Sequence, residues 1–189
     1  MTAPRKSLGQ NFLSDRTTAA AVVKGGRIGE GTLVVEIGPG KGFLTRALLA
    51  AGADVLAVEK DRELAARLPG RFPGASLKVL EADFLEIDLA PMMGRTLVGN
   101  LPYNVAMPIL SRSLELHDYW PRLVFMFQLE VAQRLCAEPG TRAYGMPTLV
   151  ATVTHRTTQL RKVPAGAFFP KPKVDSALVG FEPLAEPLL

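Results

Sequence analysis

Short apolar runs rich in β-branched residues alternate along this chain with segments whose apolar positions recur every three to four residues. Leu33 to Ile37 and Asp54 to Glu59 read as buried strands, and Leu77 to Leu80, Thr96 to Val98 and Leu123 to Phe127 as further strands. Around them, Thr17 to Lys24, Phe43 to Ala51, Arg62 to Leu68, Ile109 to Leu116 and Glu130 to Ala137 read as helices. Ser14-Asp15 supplies an N-cap for the first helix, and Gly25-Gly26, Gly52, Pro69-Gly70 and Pro139-Gly140 supply stops. Strands alternating with helices pair in parallel through right-handed crossovers, so the predicted class is α/β with a doubly wound sheet. The end differs. Thr157 to Val163 and Val174 to Phe181 are strand-like runs around a loop rich in Pro and Phe, which predicts a closing antiparallel hairpin. A single domain over residues 1–189 is expected.

Composition narrows this picture. Apolar residues make up 48% and charged residues 21% of 189, enough for one full core and unlike a disordered chain. Cys136 is the one cysteine, so no intramolecular disulfide or multi-thiolate metal site can form, and a reducing, cytoplasmic setting is expected. The first residues hold no apolar run of signal-peptide type, and no stretch approaches the ~18 apolar residues of a membrane span. The net charge of +4 is unevenly placed. Six Lys or Arg and no acid lie between Pro139 and Lys173, and Arg5 and Lys6 add to them. That pattern fits a polyanionic partner as well as it fits a solvated surface.

Candidate chemistry begins at the end of the first strand. Glu36-Ile37-Gly38-Pro39-Gly40-Lys41-Gly42 turns from strand to helix with glycines where the backbone must lie close to a flat ligand. Glu59 ends the next strand about 20 residues on, where a carboxylate can accept ribose hydroxyls. Asp83 follows the third strand and could accept from an adenine amino group. Nicotinamide cofactors and S-adenosylmethionine both carry adenosine. The Gly-x-Gly-x-Gly spacing departs from dinucleotide binders, and Glu36 beside the loop suits a cationic cofactor better than an anionic one.

The fourth strand runs into Asn100-Leu101-Pro102-Tyr103. An adenine amine is a poor nucleophile, its lone pair being delocalised into the ring. The Asn100 side-chain carbonyl and the Leu101 backbone carbonyl can hold its two hydrogens and favour a tetrahedral nitrogen, while Pro102 stiffens the turn. Tyr103 offers a face for the base, a stack worth ~1–3 kcal/mol. No strong base is needed, so catalysis is positioning and electrostatics. Phe168-Phe169-Pro170-Lys171-Pro172-Lys173 is a second aromatic candidate: one Phe is expected in the core, the other on a base pocket, with the lysines on phosphate.

Taken with Leu8-Gly9-Gln10-Asn11-Phe12-Leu13 and the ending Val174-Asp175-Ser176, these motifs make the chain resemble the ribosomal RNA adenine dimethyltransferase family over nearly its whole length. The resemblance implies a Rossmann-like class I methyltransferase fold: a mostly parallel seven-stranded sheet with a C-terminal antiparallel hairpin. It implies S-adenosyl-L-methionine as cofactor, with S-adenosyl-L-homocysteine as product. Asn11, Leu13, Gly38, Glu59, Asp83 and Asn100 would contact it, beside Glu36 and Gly40 of the loop. Asn100, Leu101 and Tyr103 would position the target amine and Phe168 would stack on the base.

Phe127 to Leu135, and Leu101 in the tetrapeptide, resemble the small-subunit branch, which dimethylates two adjacent adenosines near the 3′ end of its rRNA. The large-subunit, macrolide-resistance branch is the alternative. A monomer working on rRNA within the small subunit is implied. Family members also carry a small helical domain after the last strand that helps to engage RNA; here the sequence ends at Leu189.

Rival readings are a DNA adenine methyltransferase, a protein glutamine methyltransferase, a nicotinamide-dependent oxidoreductase and a non-catalytic RNA-binding assembly factor. The first expects Asp in the tetrapeptide, and Leu101 with the aromatic-proline ends argues against the second. Glycine spacing and the lack of an evident proton donor disfavour the third; intact Asn100 and Tyr103 count against the last. His117 and His155 are expected at the surface or a helix end, with no metal site, and Cys136 in a helix as packing.

Overall fold

A computed structural model describes residues 11–188. In chain order the elements are β1 (Phe12–Leu13), α1 (Arg16–Gly25), β2 (Leu33–Ile37), α2 (Phe43–Ala50), β3 (Asp54–Glu59) and α3 (Arg62–Arg67). They continue with β4 (Leu77–Glu81), β5 (Thr96–Gly99), α4 (Tyr103–Glu115), β6 (Leu123–Gln128) and α5 (Leu129–Leu135). The last are α6 (Met146–Thr152), β7 (His155–Val163), β8 (Phe168–Phe169) and β9 (Ser176–Pro183).

Seven strands form one sheet in the order β4-β3-β2-β5-β6-β9-β7. The pairs from β4 to β6 are parallel, and β9 is antiparallel to both β6 and β7. The expected α/β class, mostly parallel sheet and closing hairpin are therefore present, with β9 inserted between β6 and the edge strand β7. Strands buried on both faces read as continuous apolar runs, because neighbouring residues serve opposite layers. Val34, Val55, Val98 and Val124 pack with Val22 of α1 and Leu48 of α2, while Val35, Leu97, Phe125 and Phe181 pack with Leu110 of α4 and Leu135 of α5.

Three departures from the sequence reading have local causes. Helix α4 starts at Tyr103, six residues before the expected Ile109: Pro102 is its N-cap and Pro108 lies inside it, at the cost of one backbone hydrogen bond. Helix α6 was not expected; β-branched Thr148, Val150 and Thr152 mask it, although Pro147 in its first turn is favourable. His155 is not a surface residue. It begins β7 at 1% exposure, with Nδ1 on Thr154 Oγ1 at 2.8 Å, and burial first of all lowers its pKa to about 4. Cys136 is half-buried just past the end of α5.

Beside the large sheet, β1 and β8 form a two-stranded antiparallel strap, pairing Phe12 with Phe169 and Leu13 with Phe168. Ser14 N–H and Oγ–H both donate to the Ala167 carbonyl, at 2.8 and 3.0 Å. Asp15 caps α1 as expected, accepting from Thr18 N–H at 2.8 Å, and the Thr17 and Thr18 hydroxyls hold its carboxyl down at about 2. The strap brings the two terminal motifs of the sequence together. Leu8, Gly9 and Gln10 of the first motif, and the basic pair Arg5 and Lys6, lie outside the described residues. Among those described, no helix is long and apolar enough to cross a membrane.

Candidate cofactor cleft

The chain runs outward from β2 to β4 and then returns to β5 on the other side of β2, and at that reversal the strand ends part. Open α/β sheets hold ligands at such a switch point. A cleft of about 260 Å³ opens there. Its walls are Gly38 and Gly40 after β2, Glu59 and Lys60 at the end of β3, and Asp83 after β4. Asn100 and Pro102 after β5, Asn104 and Val105 of α4, and Asn11 and Phe12 of the strap complete it.

The glycine loop forms the floor. Gly38 has φ +64°, and a Cβ there would meet no atom within 4 Å, so the cleft continues up to its backbone. Gly40 has φ +56°, and a Cβ there would stand 3.0 Å from the Phe12 ring. Glu59 ties the floor to β3: Oε2 accepts from Gly40 N–H at 3.0 Å and Oε1 from Asp61 N–H at 2.9 Å. It is 6% exposed, and burial raises its pKa against the lowering pull of those two donors. Each oxygen keeps a second lone pair with which to accept a hydroxyl.

At the rim, Asp83 Oδ1 accepts from Leu85 N–H at 3.0 Å and Oδ2 from the Lys60 ammonium at 2.5 Å. Burial pushes this carboxyl up, but Lys60 and the Leu85 amide outweigh it, and the pKa lies below the ordinary value. On the third side, Asn100 Nδ2–H donates to the Asn11 carbonyl at 2.8 Å. That bond uses one of the two amide hydrogens and fixes the orientation of the side chain, whose oxygen is the group able to accept.

Six of the expected residues therefore line the cleft: Asn11, Gly38, Gly40, Glu59, Asp83 and Asn100. Five stand elsewhere. Glu36 lies beneath the loop at 1% exposure, accepting from Thr45 Oγ1 at 2.6 Å; burial, with Glu59 adding to it, raises its pKa to about 8. Leu13 and Phe168 pack in the core against α1 and α2, at 5% and 4% exposure. The Leu101 side chain is buried against the opposite layer. Tyr103 is half-buried beside the cleft, its hydroxyl 2.7 Å from Ser176 Oγ, and burial raises its pKa.

Phe168 was expected on a base pocket. The strap puts that ring inside and leaves Phe169 64% exposed, because successive strand residues face opposite ways.

Two residues had no assigned role in the sequence. Lys60 was hidden by its acidic neighbour, although its place just after a strand end marks it. Ser176 closed a quoted motif without a function; its buried hydroxyl joins the last motif to the tetrapeptide.

The residues present fit an adenosyl sulfonium cofactor. Two carboxylates offer acceptors of the kind that ribose hydroxyls and a purine amine require, and Val58, Phe84 and Ile109 supply apolar wall. Among the described residues, Lys60 is the one cation in the lining and it is paired with Asp83, an arrangement that suits a pyrophosphate poorly.

Comparison with known proteins agrees. The ribosomal RNA adenine dimethylase family matches residues 1–188. The ribosomal RNA small subunit methyltransferase A of Geobacter sulfurreducens is 41% identical over 190 residues, covering 97% of this chain and 69% of its own length. That of Cutibacterium acnes is 43% identical over 183 residues, covering 93% of this chain and 61% of its own. The chain thus spans roughly two thirds of these curated relatives. The solved 23S rRNA methyltransferase ErmE superposes with a TM-score of 0.84 at 32% identity, covering 95% of this chain and 72% of that one. The fold is the Rossmann-like class I methyltransferase fold. In sequence as in architecture, the chain belongs to the ribosomal RNA adenine dimethylase family.

Proposed function

We propose that this chain is the catalytic domain of an S-adenosylmethionine-dependent rRNA adenine dimethyltransferase, acting on the exocyclic amines of two adjacent adenosines near the 3′ end of small-subunit rRNA. The observation that carries it is Asn100. One of its amide N–H groups donates to the Asn11 carbonyl and orients the side chain, whose oxygen supplies an acceptor at the mouth of a cleft that already holds Glu59 and Asp83. A substrate amine needs such an acceptor, since each of its hydrogens requires a partner once it leaves water.

When bound, the cofactor supplies an activated methyl group on a cationic sulfur. The chain's own residues do the rest. Glu59 accepts ribose hydroxyls while its backbone bonds keep it fixed, and Asp83 accepts from the cofactor's adenine amine. The Asn100 oxygen and the Leu101 carbonyl hold the hydrogens of the target amine, which directs the nitrogen lone pair toward the methyl donor. Tyr103, anchored by Ser176, offers the base an aromatic edge or face. The proton released on methylation passes to water, since an adenine that carries its positive charge on the exocyclic nitrogen is a strong acid.

Similarity to small subunit methyltransferases supports the small-subunit substrate, and likeness to ErmE supports 23S rRNA as the second reading. We place the protein in the cytoplasm as a monomer on the maturing small subunit.

The test is transfer of labelled methyl from S-adenosylmethionine to unmethylated small subunits and, in parallel, to naked 23S rRNA. Dimethyladenosine in the small-subunit RNA, lost with Asn100→Ala, is the expected result. Label confined to 23S rRNA selects the second reading, and folded protein that binds no cofactor overturns both.

A further inference from the structure

Lys60 reaches from the end of β3 to the end of the neighbouring strand β4, along the rim of the cleft. Its side chain is 62% exposed, whereas that of its partner Asp83 is 17% exposed. The ammonium sits on Asp83 Oδ2 at 2.5 Å, and Oδ1 is taken by Leu85 N–H at 3.0 Å. Both residues line the cavity. An adenine amine seeking this carboxylate therefore meets a charged donor on the oxygen that is not held by backbone. A charged donor makes the stronger hydrogen bond of the two. The pair is nevertheless solvent-facing, and such pairs are weak enough to open. Glu86 lies near enough to attract the released ammonium.

We propose that Lys60 competes with the cofactor's adenine amine for Asp83, so that this lysine sets cofactor and product affinity by occupying the amine's hydrogen-bonding position. The proposal rests on the reading of the cleft as the adenosyl site. Lys60 thus differs from the donors on Glu59: backbone amides hold that carboxylate in place, whereas the ammonium draws on the same Asp83 oxygen that the amine would use. Product release gains from the same device, because the ammonium recaptures Asp83 as S-adenosylhomocysteine leaves.

The test is calorimetric binding of S-adenosylhomocysteine to the wild-type chain and to Lys60→Met, which keeps the apolar stem and removes the charge. At low salt the variant should bind about two- to fivefold more tightly, the range expected for an exposed ion pair. Raising the salt should tighten wild-type binding toward that of the variant and leave the variant nearly unchanged, since salt screens the exposed pair. An analogue whose purine carries hydrogen in place of the amine should show no gain in the variant. Equal or weaker binding of S-adenosylhomocysteine by the variant overturns the proposal, as does a gain that persists with the analogue. Folded wild-type protein that fails to bind S-adenosylhomocysteine at all overturns the cofactor reading together with it, and the wild-type titration alone distinguishes that case.

Discussion

Glu59 and Asp83 stand at the ends of neighbouring parallel strands and face one cleft, yet they are held in opposite ways. Glu59 is buried and accepts from two backbone amides, Gly40 and Asp61, so its position is part of the chain trace. Asp83 takes one backbone amide and one mobile ammonium, and its environment favours the charged form where that of Glu59 disfavours it. The floor of the site is thus made by the fold and the rim by side chains. A rigid floor can fix a ribose-like group without reorganisation, and a rim closed by an exposed ion pair can adjust to arrival and departure.

The largest expected effect breaks the floor. Glu59→Ala strands the Gly40 and Asp61 N–H groups, at about 1–3 kcal/mol each where they stay buried. Calorimetry should show S-adenosylhomocysteine binding weakened by roughly a hundredfold or more, with a lower melting temperature in the same preparation. Asp83→Ala should weaken binding by about tenfold with a smaller fall in melting temperature, because one backbone donor, the part-buried Leu85 N–H, depends on it rather than two. Equal thermal losses in the two variants would erase the distinction between floor and rim.

A pH titration of stability sharpens the contrast. Beneath the floor, Glu36 has a folded pKa of about 8 against an ordinary 4.5. The stability it contributes is full below pH 4.5 and is lost as pH rises through about 8. Melting temperature should therefore fall between about pH 4.5 and pH 8, and Glu36→Gln should flatten that slope. Asp83 is lowered instead, so its contribution is present above its ordinary 3.8 and disappears in acid. Smallest of all is Ser176→Ala, which removes the partner of the Tyr103 hydroxyl at about 1 kcal/mol. Turnover should drop up to about fivefold with S-adenosylhomocysteine affinity unchanged.

The floor was legible in the sequence and much of the rim was not. Gly38, Gly40, Glu59 and Asp83 sit at strand ends, and alternating strands and helices place successive strand ends side by side without further information. Asn100 was legible for the same reason. Phe168 was not, because which of two adjacent phenylalanines turns inward depends on pairing with Phe12 and Leu13, more than 150 residues away in the chain. A strap of two-residue strands has no period to detect. Lys60 and Asp83 meet across two strands, and only the parallel register of β3 with β4 shows that a lysine after one reaches the acid after the other.

The strap also orders events during synthesis. Ser14 is fastened to Ala167, made 153 residues later, and Asn11 and Phe12 of the cleft depend on that fastening. At translation speeds of about 5–20 residues per second, roughly 4–17 seconds separate the making of Asp83, the last acid of the cleft, from that of Ala167, with which the last wall closes. A polypeptide interrupted anywhere before residue 167 leaves the ribosome with an open-sided cleft.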